Sequence, residues 1–417
     1  MKGIRVLATR LLRPSNQKSF FSTKVPVPAA LLSSAQVTEP VYKEAYRKSI
    51  ENPDTFWAEQ ARERLTWMRD FSNTSSVNTD IRQGPVSVKW FADGQLNVAV
   101  NCVDRHVESG RGSQTAIIWE GDDAEESRSI SYAQLSEEVN RIANVLREQL
   151  GVKKGDRVSI CMPMVPETAA AMLACARIGA VHSVIFGGFS PEAVMGRIVD
   201  CESKVILTAD YGMRGGKQVP LKAIVDDALD MIDADKNPVE AVVVLSRGGN
   251  VSPGPLSDPE RDVWWHEATS KASAECAAET MNAEDPLFVL YTSGSTGKPK
   301  GVLHTSAGYL LGASLSHETT FDHREGDIFW CTADCGWITG HTYSVYGPLA
   351  NVSCLLSFLH GINRSLNTGL SCELGGDNSY VRRRAFLPNA CSHLGNCRQI
   401  QGESVVHCAN GTKSAHG

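Results

Sequence analysis

The residues best suited to chemistry form a loop rich in glycine, hydroxyl and lysine side chains. An apolar strand is predicted at 287–291, and the next ten residues carry three glycines, four hydroxyls and two lysines. The glycines let the backbone approach an anion closely, because no Cβ stands in the way. Hydroxyls and backbone N–H groups donate hydrogen bonds to phosphate oxygens, and lysines add positive charge. The pattern predicts a loop that binds ATP phosphates and consists of Thr292, Ser293, Gly294, Ser295, Thr296, Gly297, Lys298 and Lys300.

This loop is not a Walker A motif. Pro299 follows Gly297-Lys298 where that motif needs a hydroxyl for magnesium, so the generic P-loop NTPase is excluded. A flexible Gly/Ser linker is the alternative interpretation, but a linker would not follow a predicted strand or carry such a dense run of hydroxyls. A helical pattern begins after the loop, near Ser306.

Strands and helices alternate upstream of the loop and must position it. A helix is predicted to begin near Ser131, which with Gln134 has the spacing of a capping box. The alternation predicts right-handed βαβ crossovers and an α/β fold with a doubly wound parallel sheet. Ligands of such sheets bind at the carboxyl ends of the strands. The predicted strands are 157–162, 181–186, 204–208 and 241–245, and the predicted helices are 167–178, 191–199 and 221–232.

Length and composition set wide limits. The 417 residues suffice for two to four domains, which excludes a small disulfide scaffold. The longest apolar run, 169–176, is too short for a transmembrane helix, and a net charge of −6 gives no reason to expect a nucleic-acid partner. Between 40 and 70, aromatic residues alternate with charges, which predicts amphipathic helices of an N-terminal cap; 72–80 has the composition of a linker.

The first 38 residues differ in charge from the rest of the chain. They contain six Lys or Arg and no Asp or Glu, with apolar residues at helical spacing and several serines. This composition is typical of a mitochondrial transit peptide, and it predicts a location in the mitochondrial matrix, where cysteines stay free thiols. A disordered basic tail is the alternative. A secretory signal fits worse, because arginines interrupt every apolar run.

Several motifs together resemble a known family. The phosphate loop and its flanks, Tyr291-Thr-Ser-Gly-Ser-Thr-Gly-Lys-Pro-Lys-Gly-Val-Leu-His-Thr305, resemble the AMP-binding signature of adenylate-forming enzymes, and specifically of AMP-forming acetyl-CoA synthetases (acetate–CoA ligases) of the mitochondrial type. The similarity spans about 40–351. It extends to Trp330-Cys-Thr-Ala-Asp-Cys-Gly-Trp-Ile-Thr-Gly-His341, Tyr346-Gly-Pro-Leu-Ala-Asn351, Gly187-Gly-Phe-Ser-Pro-Glu-Ala193 and Val225-Asp-Asp-Ala-Leu229.

The resemblance implies a fold, a reaction and site residues. It implies a helical cap at 39–100 and part of the adenylation domain at 101–351. Acetate would react with Mg-ATP to give acetyl-AMP and pyrophosphate, and coenzyme A would then take the acetyl group; ATP, Mg²⁺ and coenzyme A are the expected cofactors. The expected coenzyme A-binding residues are Arg214, Gly215, Gly216, Lys217 and Thr339, and Ile338 and Thr339 are expected to line the carboxylate pocket.

Other residues near the pocket motif are less informative. Lys217 stands where the family often has arginine, which keeps the charge but loses bidentate geometry. Trp330 and Trp337 are interpreted as core aromatics, and Asp334 and His341 are candidates for the pocket rim without an assigned proton-transfer role.

The resemblance ends after Asn351. The family's adenylation lysine and C-terminal domain are absent from the sequence, so no catalytic residue is assigned, and 352–417 is predicted to be an aberrant, disordered tail. Cysteines and histidines near 391–408 fit no zinc-ligand spacing, so no metal site is predicted. We therefore expect a truncated form with weak or no activity. A propionate–CoA ligase and a non-catalytic fragment that binds nucleotide or coenzyme A remain as alternatives.

Overall fold

The computed structural model describes residues 27–122, 126–248, 255–292 and 298–357, and an antiparallel strand pair at 382–383 and 404–405. The α-helices are α1 Ala29–Ser34, α2 Glu39–Glu51, α3 Pro53–Arg64, α4 Tyr132–Asn144, α5 Pro166–Ile178, α6 Pro191–Cys201, α7 Leu221–Asp230, α8 Trp265–Ser270, α9 Ser306–Phe321, α10 Ile338–His341 and α11 Gly347–Ala350. The remaining strands are β1 Ser75–Asn78, β2 Ser87–Trp90, β3 Gln95–Leu96, β4 Thr115–Glu120, β5 Ser127–Ser131, β6 Arg157–Cys161, β7 Val181–Val184, β8 Ser203–Ala209, β9 Gly212–Arg214, β10 Lys217–Val219, β11 Ala241–Leu245, β12 Asp262–Trp264, β13 Met281–Asn282, β14 Pro286–Thr292, β15 Lys300–Thr305, β16 Ile328–Cys331 and β17 Cys354–Ser357.

A seven-stranded sheet forms the centre of the molecule. Its strand order is β12-β11-β8-β6-β7-β14-β15, and every neighbouring pair is parallel except the last, in which β15 runs antiparallel to β14. Side chains of β8 alternate between two cores: Val205 and Leu207 pack with α4 and α5, whereas Ile206 packs with α6 and α7. Helices therefore cover both faces, and the predicted doubly wound α/β sheet is confirmed.

Local sequence signals placed most of these elements correctly. The strand at 241–245 has the predicted bounds, and the predicted helices match α5, α6 and α7 within two residues at each end. Ser131 accepts a hydrogen bond from the Gln134 N–H, and the Gln134 side chain accepts one from the Ser131 N–H, as the capping box predicts. These signals are local, so a few neighbouring residues decide them.

Strand β15 was not predicted. The sequence indicated a strand, a loop and then a helix, but Lys300–Thr305 first returns antiparallel to β14, and α9 begins only at Ser306. The predicted phosphate loop is therefore the tip of a β-hairpin. Gly301 and the exposed Val302 and Leu303 carry no alternating pattern that would have indicated a strand, because both faces of β15 are partly open to solvent.

A second sheet lies beside the first, with strand order β16-β17-β4-β5. Its strand β17 pairs parallel to both β16 and β4, and Leu355 is fully buried there. This strand lies after Asn351, where the sequence resemblance was placed at its end. The fold thus continues at least to Ser357, because β17 joins β16 to the rest of the sheet. Apart from the strand pair at 382–383 and 404–405, the rest of the predicted tail at 352–417 lies outside the described residues.

The N-terminal cap combines helices with strands. Ala58 and Ala61 of α3 are buried and α3 lies against α9, whereas Tyr42 and Tyr46 of α2 are exposed and stack on each other. The predicted linker at 72–80 contains strand β1, which pairs with β2. Tertiary pairing with β2 overrides the turn-like composition of this segment.

Two general properties of the described residues bear on function. None of their helices is both long and apolar enough to cross a bilayer. Their eight cysteines are free thiols: Cys102, Cys161, Cys175, Cys201, Cys276, Cys331, Cys335 and Cys354.

Buried histidines make the stability of this fold depend on pH. Burial lowers the pKa of His106 to about 4 and that of His341 to about 4, and it lowers the pKa of His317 to about 3. The pKa of His182 also lies well below its ordinary value because of burial. Each of these side chains is neutral in the folded protein at pH 5, whereas an unfolded chain protonates them below about pH 6.5.

We expect the free energy of unfolding to fall as pH decreases from 7 to 5. The unfolded chain binds more protons in this range, so each of these histidines removes about 2 kcal/mol by pH 5. Urea unfolding at several pH values measures this. His106→Gln keeps a donor for the Leu349 carbonyl but removes one titrating group. The free energy of unfolding of this variant should therefore depend less steeply on pH. A free energy of unfolding that stays constant between pH 7 and 5 would contradict the prediction.

Candidate functional site

The predicted site residues that the structure describes lie at one edge of the seven-stranded sheet. Strands β7, β8 and β14 all end at this edge, because parallel strands share their direction. The segment after β7 contains Phe186, that after β8 leads into the β9–β10 hairpin, and that after β14 carries the predicted phosphate loop. The Gly212 position of the hairpin lies against Pro163, which follows β6.

The predicted coenzyme A segment forms the turn of the β9–β10 hairpin. Arg214 and Lys217 are paired across the two strands, so Gly215 and Gly216 alone make the turn. Both glycines have left-handed φ angles, 58° and 75°. A two-residue hairpin turn requires such angles, and residues with a Cβ adopt them rarely. The turn presents the exposed Arg214 and Lys217 side by side.

Phe186 connects the hairpin with the predicted pocket. The Arg214 guanidinium carbon lies 4.9 Å from the centroid of the Phe186 ring. The Trp337 ring lies 5.9 Å from the same ring, and Gly336 packs against the Phe186 backbone, where a Cβ would be 3.1 Å away. The coenzyme A segment and the pocket segment therefore meet at Phe186. Phe186 was not predicted as a site residue, although its position just before the pair Gly187-Gly188 could have indicated one.

The pocket segment enters α10 through a tight turn. The Asp334 side chain accepts a hydrogen bond from the Gly336 N–H at 2.7 Å, and α10 then begins at Ile338. Ile338 is exposed and Thr339 partly exposed, so both predicted pocket residues are accessible at the start of the helix. Gly340 is buried, and a Cβ there would lie 2.0 Å from the Asp334 carbonyl oxygen. Glycine is therefore required for the turn to close on the helix.

Two interpretations of this segment were wrong. Trp337 is not a core aromatic, because half of its surface is exposed beside Phe186. His341 is not at the pocket rim, because it is fully buried and its Nδ1 faces the Trp337 carbonyl oxygen. Trp337 lies just before α10 and meets the His341 ring through its backbone carbonyl, so its own ring can be exposed while His341 is buried.

The phosphate loop projects from the end of the β14–β15 hairpin. Thr292 pairs with Lys300 at the end of the ladder, and Thr292, Lys298 and Lys300 are all exposed. Ser293, Gly294, Ser295, Thr296 and Gly297 lie outside the described residues. The two lysines thus carry positive charge into solvent at the carboxyl edge. Within the described ranges, no group of three or more His, Cys, Asp or Glu side chains could hold a metal ion.

A sizeable cleft in the described part of the chain lies elsewhere. It has a volume of about 650 Å³ and is found before β4, β16 and β17, at their amino ends. Two of its arginines form ion pairs, Arg64 with Glu318 and Arg111 with Glu325. Arg105 donates to the carbonyls of Arg64 and Ala350, the last residues of α3 and α11. None of the predicted site residues lines this cleft, so its size does not make it the site.

Comparison with known families agrees with this geometry. Residues 103–364 match the family model described as AMP-binding enzyme. The matched residues include the phosphate hairpin, the β9–β10 hairpin and the pocket segment. The chain belongs to the AMP-binding enzyme family. Residues 42–102 match a second model, described as acetyl-coenzyme A synthetase N-terminus, so the cap of this AMP-binding enzyme also has a known counterpart. The family match continues past Asn351, in agreement with strand β17.

Individual relatives point to one branch of the AMP-binding enzymes. The chain is 57% identical to acetyl-coenzyme A synthetase of Bradyrhizobium diazoefficiens over 80% of its length and 49% of the relative. It is 56% identical to the same enzyme of Methylorubrum populi over 78% of this chain and 48% of the relative, and 54% identical to that of Yersinia pestis over 82% and 52%. The chain spans about half the length of the curated relatives it matches. These relatives are bacterial, so the mitochondrial type stays a prediction.

Two glycine variants test the turn that positions the pocket segment. We expect Gly340→Ala to destabilise the protein by about 2–3 kcal/mol, because its Cβ would collide with the Asp334 backbone. Gly308→Ala in α9 is the matched control: no atom lies within 4 Å of its Cβ, so it should stabilise by about 0.5–1 kcal/mol. Urea unfolding measures both. Equal effects of the two variants would contradict this account of the turn.

Proposed function

We propose that this protein is an acetate-activating ligase. It binds acetate and Mg-ATP, supports formation of acetyl-AMP and pyrophosphate, and passes the acetyl group to coenzyme A. The observation that carries the proposal is the common edge at which the phosphate hairpin, the β9–β10 hairpin and the Trp337–Thr339 segment lie. The names of its relatives, acetyl-coenzyme A synthetases at 54–57% identity, support the same substrate class.

The phosphate hairpin suits the first step. Acetate oxygen attacks the α-phosphorus, and the bond to pyrophosphate breaks, so negative charge develops on the leaving group. Lys298 and Lys300 are exposed cations next to the loop glycines and can stabilise this charge. Mg²⁺ enters as part of the Mg-ATP substrate. Substrate phosphates often supply most of the ligands of such a Mg²⁺ ion.

The β9–β10 hairpin suits the second substrate. Coenzyme A carries a 3′-phosphate and a diphosphate, and Arg214 and Lys217 present two cations from adjacent strand ends. Contact with the Phe186 ring restricts the Arg214 guanidinium, so less side-chain entropy is lost when it binds a phosphate. Lys217 provides a point charge without fork geometry.

The start of α10 suits a small carboxylic acid. Ile338 offers an apolar surface for a methyl group, and the Thr339 hydroxyl can donate to an oxygen. In such a pocket, the extra methylene of propionate changes the free energy of transition-state binding by only about 1–3 kcal/mol relative to acetate. Both acids therefore belong in the same assay.

We expect the protein to release pyrophosphate from Mg-ATP only weakly, in a reaction that depends on acetate. Lys300→Ala should lower kcat/KM for ATP about tenfold to a hundredfold, because one charge-assisted phosphate contact is lost. Lys236→Ala is the control, since that exposed lysine lies before β11, at the opposite edge of the sheet, and should change nothing. A coupled pyrophosphate assay, with propionate in a parallel series, measures both.

The outcomes separate the candidate functions. Release that depends on acetate supports the ligase, and a higher kcat/KM with propionate reassigns the carboxylic acid. Calorimetric binding of Mg-ATP or coenzyme A without turnover assigns the chain to the class of non-catalytic binders. If neither ligand binds, the proposal is overturned.

We also propose that residues 1–38 direct the protein to the mitochondrial matrix, supported by six basic residues and no acidic one. We expect a fluorescent reporter fused to 1–38 to colocalise with mitochondria. Replacing Arg5, Arg10 and Arg13 by Gln should leave the reporter in the cytosol, because the amphipathic segment loses its charged face. The same distribution for both fusions would contradict the proposal.

A further inference from the structure

The backbone of the phosphate hairpin is paired with strand β7 at a single position. The register between β14 and β7 consists of one pair, Phe288 with His182. Beyond Phe288, β14 continues to Thr292 paired only with β15, which is itself the last strand of the sheet. We call this part, 289–292 with 300–303, the ribbon. An isolated two-stranded ribbon is marginally stable in water, so side-chain contacts must hold it in place.

Tyr291 supplies such a contact near the tip of the ribbon. Its hydroxyl donates a hydrogen bond to the Asp200 side chain at 2.6 Å, and Asp200 lies near the end of α6. Burial, together with Asp200 and Cys201, raises the pKa of Tyr291 above its ordinary value, so the hydroxyl remains a donor at neutral pH. A hydrogen bond to a carboxylate is stronger than one between neutral groups. Tyr291 thereby connects the ribbon to a helix of the main domain.

Arg197, one turn earlier on α6, contacts the same ring. Its guanidinium carbon lies 5.5 Å from the centroid of Tyr291 and 4.2 Å from that of Phe189. The guanidinium also donates to the Ala193 carbonyl of its own helix at 2.6 Å, and no carboxylate of the described residues lies within ion-pair distance of it. Cation–π contact is therefore the interaction that this charge makes with the ribbon.

Gly301 explains why the ring can lie across the ribbon. Tyr291 and Gly301 are directly paired, and a Cβ on Gly301 would be 3.4 Å from two atoms of the Tyr291 ring and 2.8 Å from Val289 Cγ1. The glycine leaves space for the ring, and the ring in turn covers the glycine backbone. The same residue pair links both strands of the ribbon to α6.

We propose that Asp200 and Arg197 hold Tyr291 as a clamp that fixes the ribbon, and that this clamp sets the affinity for the phosphates of Mg-ATP. The inference rests on the proposed function, because the ribbon carries Thr292 and Lys300 into the phosphate site. Asp200, Arg197 and Tyr291 are positioning residues in this account. None of them needs to contact the nucleotide; they determine where the contacting residues lie.

A double-mutant cycle on the full chain tests the clamp. Tyr291→Phe and Asp200→Ala each remove one partner of the hydrogen bond, and the double variant removes both. We expect each single variant to raise amide hydrogen exchange in peptides covering 289–292 and 300–303 about tenfold, and the double variant to exchange no faster than the singles. Asp200→Asn retains an acceptor oxygen and should lie between Asp200→Ala and the unaltered protein.

Tyr132→Phe is the matched control. It removes a tyrosine hydroxyl that donates to the Ser353 carbonyl at 3.3 Å. This hydrogen bond joins α4 to the second sheet and does not involve the ribbon. Exchange in the ribbon should not change in this variant. Arg197→Lys keeps the charge and should exchange more slowly than Arg197→Met, which keeps the length of the side chain but has no charge.

Nucleotide affinity provides the second readout. Calorimetry with Mg-ATP should give a dissociation constant about threefold to tenfold higher for Tyr291→Phe and for Asp200→Ala, with the same lack of additivity. Unchanged exchange in the single variants, or fully additive effects in the double variant, overturns the clamp. If the unaltered protein binds no Mg-ATP, the proposed function fails instead, and the exchange cycle still decides whether the clamp exists.

Discussion

The packing of rings around Phe288 is the interaction on which the candidate site depends. Phe288 is fully buried on β14, and its ring centroid lies 4.5 Å from that of His304 on β15, 4.5 Å from His341 on α10 and 5.4 Å from His182 on β7. One side chain thus joins the strand before the phosphate loop, the strand after it, the neighbouring parallel strand and the helix of the pocket segment. Burial lowers the pKa of each of these histidines, so their rings pack against Phe288 without charge.

The direction of the strands converts this packing into a site. Because β7, β8 and β14 run parallel, the segments that follow them all emerge at one edge, and the second sheet is joined to the same edge through Trp119 of β4, which donates to the Met164 carbonyl. Segments far apart in the sequence meet there. Phe186 contacts both Arg214 and Trp337, although 151 residues separate Phe186 from Trp337. Each loop keeps its own small interactions, while the sheet sets their relative positions.

Part of this arrangement could be read from the sequence because it depends on neighbouring residues. The capping box at Ser131, the buried strand at 241–245 and the glycine pair 215–216 act over a few residues, so their patterns survive without tertiary context. Strand β15 could not be read in the same way, because its pairing with β14 competes with a composition dominated by lysine, glycine and exposed apolar residues. Trp337 was misjudged for a related reason: a large aromatic ring favours burial, but a tight turn at Asp334 directs this one into solvent beside Phe186.

The sequence by itself determined the α/β class and the family, and it predicted the phosphate loop, because these reside in short motifs and in the alternation of strands and helices. Only the tertiary structure decided which residues meet. It brought Phe186 between Arg214 and Trp337, buried His341 behind the pocket segment, and set Asp200 and Arg197 against Tyr291. Such contacts join residues on separate elements, and their distances depend on how the sheet and helices pack, which no local pattern records.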